Sequence, residues 1–154
     1  MGVRSEGREA AIQFLYQRDQ GGGAGVSDLD DFYAFRGLSP SARRFCEGLV
    51  SGFLERSAEI DMKLREHTQN YELERLSAVD RNILRLAIHE MLHCPEIPPV
   101  VSINEAINIA KKYGTEESGR FVNGVLDKIK ATLQRPDRTP VSKHAGTDSE
   151  NLDS

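Results

Sequence analysis

Residues 102–133 read SINEAINIAKKYGTEESGRFVNGVLDKIKATL, and helical periodicity alternates there with helical punctuation. Ser102 followed by Glu105 has the form of a capping box, in which a hydroxyl and a carboxylate satisfy each other's backbone N–H groups at the first turn. Ile103, Ala106, Ile107 and Ala110 then fall on one stripe, and Gly114 is expected to close the helix as a left-handed C-cap. Thr115 restarts the chain into Phe121, Val122, Val125, Leu126, Ile129 and Leu133, a second stripe at the same spacing. A connection this short implies roughly antiparallel neighbours that bury their stripes against one another.

The same grammar extends toward the N-terminus. Ser77 precedes Ala78, Val79 and Asp80 as a close variant of the capping box, and Val79, Ile83, Leu84, Ala87, Ile88 and Met91 form a broad apolar face that ends before Pro95. The segment 95–99 is a stiff boundary, because residues preceding proline are pushed out of the helical region. Ser39-Pro40 supplies an N-cap with proline at the first helical position. From it Phe45, Leu49, Phe53, Ile60 and Leu64 follow a near-heptad rhythm to about His67, which predicts one long, bent helix. Gly48 and Gly52 weaken that helix by roughly 1 kcal/mol each unless packing needs them small. A short segment at 27–35 carries Leu29, Phe32 and Tyr33 at helical spacing. The first helix, 4–20, holds Ala11, Phe14 and Leu15 and stops at Gly21-Gly22-Gly23.

No segment alternates as a strand, so the expected fold class is all-α: two three-helix halves in one bilobed helical bundle over residues 1–135, the N-terminal half about 1–70 and the C-terminal half about 71–135. Residues 136–154 fill with Pro, Asp, Ser, Thr and Lys, lose the periodicity, and are expected to form a disordered polar tail.

Composition narrows the chemistry. Of 154 residues, 38% are hydrophobic and 29% charged, the profile of an ordinary globular protein. No apolar run approaches the roughly 18 residues of a membrane span, and the first residues lack the form of a secretory signal, so a cytoplasmic location is expected. Cys46 and Cys94 stand far apart without zinc-ligand spacing and are expected to be reduced thiols. His89 and His93 are four apart on one helical face, yet the glutamate of the zincin motif is absent, so no metal is expected. Gly21-Gly22-Gly23 has neither the flanking elements nor the lysine of a phosphate loop, so no nucleotide cofactor is expected. Nothing resembles a nucleophile with its base, and the chain is read as not an enzyme. The net charge of −4 means that any nucleic-acid role must rest on a local basic patch.

Three blocks carry a family resemblance: REAAIQFLYQ at 8–17, SAVDRNILRLAIHEM at 77–91, and INEAINIAKKYGTEESGRFVNGVLDKI at 103–129. In this order they resemble the NusB family of bacterial transcription antitermination factors. The resemblance implies an all-α fold of two three-helix halves, association with the ribosomal protein NusE, and joint binding of the single-stranded boxA element of nascent RNA. It also implies a place beside other Nus factors and RNA polymerase in the antitermination complex that supports ribosomal RNA synthesis. Some members form homodimers instead. A helical interaction scaffold or homodimer without substantial RNA binding is the competing expectation.

Single-stranded RNA is held by cations on phosphates and by aromatic or planar groups on unstacked bases. Arg4, Arg8, Gln13 and Tyr16 on the first helix supply such groups, and Arg120 and Phe121 add a second contribution. Each has a plainer role beside it: Tyr16 and Phe121 lie near apolar stripes, and Arg8 has acidic candidates for a partner. Family members commonly begin with a denser arginine cluster, whereas Ser5, Glu6 and Gly7 separate Arg4 from Arg8 here. Asp80 and Arg81 lie on the more exposed side of their helix. By resemblance the acidic residue belongs to the NusE-facing region, while by position it completes the Ser77 cap.

Overall fold

Three of the helix starts are written locally. The Ser39 hydroxyl accepts the Ala42 N–H at 3.3 Å with Pro40 in the first turn, Ser77 accepts the Asp80 N–H at 3.0 Å, and Thr115 accepts the Ser118 N–H at 3.1 Å. Each hydroxyl satisfies a donor that the helix leaves open. The computed structural model describes residues 2–21, 37–68 and 73–133, so the segment 27–35 and the tail 136–154 lie outside the described residues. Among the described residues there are six α-helices and no strand: α1 (Val3–Gly21), α2 (Pro40–Glu55), α3 (Ser57–His67), α4 (Ala78–His93), α5 (Pro99–Tyr113) and α6 (Glu116–Thr132). A 3₁₀ turn at Leu73–Arg75 leads into α4.

Three expectations are corrected. The single long helix from Ser39 is two helices, α2 and α3, divided at Arg56. There the backbone leaves helical geometry (φ −118°, ψ 21°) and its N–H is drawn to the Phe53 carbonyl at 3.0 Å, one residue tighter than the α-helical bond. The redirection lets Phe53 on one side and Ile60 and Leu64 on the other all be buried. Helix α5 starts at Pro99 rather than after Ser102. The Ser102 N–H already bonds back to the Pro98 carbonyl, and its buried hydroxyl donates to Glu90 at 2.7 Å. Gly114 ends α5 with φ −127°, outside the left-handed region. Space requires glycine there, since a Cβ would stand 2.7 Å from the Ser118 Oγ and 2.9 Å from the Ala110 carbonyl.

Helix α4 is the axis of the fold. It contacts each of the other five helices, which is why its buried set runs nearly all round: Asn82, Ile83, Leu84, Leu86, Ala87, Ile88, His89, Glu90 and Met91. The most extensive pairings are α1 with α2 in the N-terminal half and α5 with α6 in the C-terminal half, and α1 crosses onto α4 to join them. One contiguous core results, with Phe14, Leu15, Phe53, Leu84, Ile88, Leu126 and Ile129 among its members.

Candidate nucleic-acid and partner interface

The arginines of α1 turn inward. Arg8 is 3% exposed; its Nε and Nη2 donate to the two oxygens of Glu90 at 2.8 and 2.9 Å, and its Nη1 donates to Glu105 at 3.3 Å. Ser102 donates to Glu90 at 2.7 Å and Ser5 to Glu105 at 2.6 Å, so Glu90 is engaged through both oxygens and Glu105 through Oε1. Burial opposes the charge on Arg8, but the hydrogen bonds and charge of Glu90, with help from Glu105, outweigh it and hold the guanidinium above its ordinary pKa. The plainer of the two roles open to Arg8 is thus present in the fold, and to hold a phosphate Arg8 would have to abandon a buried bidentate pair. Arg4 is part-buried, its guanidinium 5.5 Å from the centre of the Phe45 ring, and Arg8 lies 5.2 Å from the same ring. The positive charge of the first turns is therefore directed onto α2 and α4.

Further along α1, Gln13 is part-buried and Tyr16 is exposed. Glu9 lies on the same side of the helix, one turn before Gln13 and two before Tyr16. Its carboxylate accepts from the Lys112 Nζ at 3.1 Å on both oxygens and from the Tyr113 Oη at 2.7 Å. The Glu9 hydrogen bonds raise the Lys112 pKa.

Asp80 lines a groove of about 320 Å³ between the start of α4 and the start of α6, with Arg75, Leu76, Ser77, Ser118 and Phe121. Burial raises the pKa of its carboxyl, and hydrogen bonds from Ser77 and Ser118 oppose that rise. The Ser118 hydroxyl reaches Asp80 at 3.5 Å. Phe121 thus stands beside Asp80 in the groove rather than with the arginines of α1, while Arg120 is exposed. Arg81 points elsewhere. Its Nη2 donates to Asp19 at 3.1 Å and its Nη1 to the carbonyls of Leu73 and Leu76 at 3.0 and 3.2 Å, pinning the 3₁₀ turn to the end of α1. The sequence-derived set therefore divides into Asp80 with Phe121 in the groove, Gln13 and Tyr16 on the outer face of α1, and Arg8 and Arg81 as framework.

Besides the Glu9 cluster, the sequence reading missed the partners of Arg85, and it saw His89 and His93 as a pair without their surroundings. Arg85 binds Asp61 through two donors at 2.9 and 3.1 Å and also reaches Asp19 at 3.4 Å, closing the seam between α1, α3 and α4. Where α2 meets α4, the His89 ring is buried against Gly52, whose hydrogen position leaves no room for a Cβ: one would stand 2.4 Å from the ring. His93 stacks at a tilt 5.6 Å from His89 and shares a 2.9 Å hydrogen bond with Glu59. Burial, then the nearby His93 and Arg56, push His89 down to about 4 against the pull of Glu59, so the ring is neutral at pH 7. Among the described residues no group of three His, Cys, Asp or Glu side chains is placed to hold a metal, and no helix is long and apolar enough to cross a membrane.

Comparison with known proteins covers nearly the whole helical region. Residues 5–131 match the model of the NusB family. The chain is 44% identical to the transcription antitermination protein NusB of Sorangium cellulosum over 90% of this chain and 99% of that one. Among solved structures it is similar to T. maritima NusB, with a TM-score of 0.77 at 37% identity, covering 84% of this chain and 91% of that one. It is also similar to a chain of a crystal structure of the antitermination factors NusB and NusE in complex with dsRNA. There the TM-score is 0.78 at 27% identity, over 85% of this chain and 98% of that chain.

Proposed function

The chain belongs to the NusB family of transcription antitermination factors, which are not enzymes, and on that premise we propose that it binds boxA-type single-stranded RNA together with NusE. In this role it works in the cytoplasm beside other Nus factors and RNA polymerase and supports ribosomal RNA synthesis. The observation that carries the partner assignment is the Asp80 groove: a half-buried carboxylate at the junction of α4 and α6, with the Phe121 ring next to it and Arg75 at its edge. An acidic, aromatic-lined recess suits a basic ribosomal protein, for which charge complementarity sets specificity and encounter rate.

The geometry makes Asp80 a clean probe. Ser77 caps α4 by accepting the backbone N–H of residue 80, a bond that any side chain at 80 preserves. Asp80→Lys then forfeits the favourable carboxylate at the helix N-terminus, about 0.5–1 kcal/mol, and the long 3.5 Å bond from Ser118, while presenting a repelling charge to a basic partner. The expected outcome is at least about a tenfold loss of NusE affinity, with RNA binding by the free chain little changed. Wild-type NusE affinity in Asp80→Lys would leave Asp80 as a helix-start residue and move the partner surface elsewhere.

A second reading, an interaction scaffold or homodimer without substantial RNA binding, is favoured by one observation: the Arg8 guanidinium is used inside the fold. Titration of boxA RNA with and without NusE separates the two, since the scaffold reading allows no saturable RNA binding in either case.

A further inference from the structure

With Arg8 internal, whatever holds RNA on this surface must be sought around it, and the tight polar cluster at the end of α5 stands out. Tyr113 is 43% exposed, yet its hydroxyl is tied at 2.7 Å to Glu9, a carboxylate that is itself 6% exposed. Lys112 is held by the same carboxylate and sits 5.4 Å from the Tyr113 ring centre. A buried acid is thus used to fix the orientation of an exposed ring. Tyr16, the other exposed tyrosine of this region, lies on α1 two turns beyond Glu9, about 10 Å along the helix. Behind the platform, Lys111 lies across Gly119 of α6, where a Cβ would stand 2.9 Å from its Cγ. The neighbouring Arg120 is exposed, and its side chain forms no ion pair among the described residues.

We propose, resting on the RNA-binding reading above, that Tyr113 is a base-stacking position on the RNA path, with Glu9 as the positioning residue that fixes the ring and Arg120 as a phosphate contact beside it. The charge of Lys112 is matched by Glu9, so the contribution of this corner is mainly the aromatic face. Single-stranded RNA suits such a platform, because every base has a face that stacks on a preoriented ring and the backbone needs only an adjacent cation. The Tyr113 ring held on Glu9, and Tyr16 about 10 Å along α1 from that glutamate, can each take an unstacked base, with Gln13 between Glu9 and Tyr16 on the same face of α1 as an amide partner for a base edge.

The test uses the full chain and a labelled boxA-type RNA, with and without NusE, at several salt concentrations. Tyr113→Leu keeps apolar bulk without an aromatic face and is expected to weaken RNA binding by about 5- to 150-fold while leaving the slope of log K against log salt unchanged. Tyr113→Phe keeps the stacking face and loses only the tether to Glu9, so it is expected to fall measurably between wild type and Tyr113→Leu, and wild-type RNA affinity in it would strike out the positioning role of Glu9. Arg120→Ala is expected to flatten the slope by about 0.7. Irradiation of the wild-type protein with 5-bromouridine-substituted RNA is expected to give a crosslink at Tyr113, a readout that needs no variant to fold. Wild-type RNA affinity in Tyr113→Leu, or crosslinks confined to other residues, would overturn the inference while leaving the RNA reading intact. A loss of NusE affinity with RNA affinity unchanged would make Tyr113 a protein contact and overturn it as well. If the wild-type chain binds no RNA in either condition, the functional reading fails first and this one with it.

Discussion

Removing Glu90 should damage the fold more than removing its partner Arg8, although the two lose the same ion pair. Glu90 is 2% exposed and accepts three hydrogen bonds, two from Arg8 and one from Ser102. Glu90→Ala leaves a buried guanidinium with only the 3.3 Å contact to Glu105 and strands the Ser102 hydroxyl. Breaking a buried pair from one side costs about 3–5 kcal/mol, a large share of the about 5–15 kcal/mol that holds a typical domain together. Arg8 has no escape, because a guanidinium stays protonated. Arg8→Ala leaves a buried carboxyl instead, which sheds its charge by taking up a proton and keeps its bond from Ser102. Its cost should therefore be smaller, and should shrink between pH 8 and pH 5, whereas the cost of Glu90→Ala should not. The double variant Arg8→Met/Glu90→Leu, which fills the space with apolar groups, should recover to within about 1–2 kcal/mol of wild type. Urea midpoints at the two pH values, extrapolated linearly and set out as a double-mutant cycle, measure each term. A Glu90→Ala cost below about 1 kcal/mol, or a double variant as unstable as the sum of the singles, would refute the buried-charge reasoning. The same variants bear on RNA: if Arg8→Ala, checked to be folded, flattens the salt slope by about 0.7, Arg8 reaches a phosphate and the internal pair opens on binding.

Acid should destabilise the protein through His89. Its folded pKa of about 4 lies below the ordinary 6.5, so the unfolded chain binds the proton first and stability is lost as pH falls from about 6.5 toward 4. The loss should reach about 2 kcal/mol by pH 5, and His89→Leu should abolish that part of the pH dependence of the urea midpoint; an unchanged profile in the variant would assign it to other groups. Gly52→Ala should cost about 1–3 kcal/mol by driving a Cβ into the buried His89 ring, and should turn neutral or stabilising when His89 is also Ala. Gly48→Ala, four residues earlier with nothing within 4 Å of its added carbon, should stabilise by up to about 1 kcal/mol. Thermal melts of wild type, the single variants Gly52→Ala, Gly48→Ala and His89→Ala, and the double variant decide whether those signs hold.

What the sequence disclosed is what is decided within one or two turns. Ser39-Pro40 and Ser77 were legible as helix starts because the bonds that make them so join residues three apart. Ser102 carries the same local signal, yet its hydroxyl is taken by Glu90 on another helix, and no local pattern distinguishes a cap serine from an interior one with a remote partner. The break at Arg56 was invisible for a related reason: Phe53 and Ile60 keep a heptad spacing across it, and apolar periodicity does not register a change of axis. For the candidate site, Tyr16 and Asp80 were singled out by residue type and place, whereas the inward turn of Arg8 depends on a glutamate 82 positions away. A clue was present all the same, since Glu90 interrupts an otherwise apolar face of α4, and a carboxylate there demands a buried cation. Glu9, Lys112 and Tyr113 gave no comparable signal, because their meeting is created by the docking of α1 on α5.

That 82-residue span also sets a waiting time during synthesis. The first helix leaves the ribosome with a buried-to-be stripe of Ala10, Ala11, Ile12, Phe14 and Leu15 and with an arginine whose counter-charge has not been made. At about 5–20 residues per second, some 4–16 seconds pass before Glu90 is translated. Among the described residues, α2 is the element made before Glu90 that packs most extensively on α1, and its Phe45 lies 5.2 Å from the Arg8 guanidinium. The charge of Arg8 on the N-terminal half is thus matched only when α4 brings Glu90 and α5 brings Glu105.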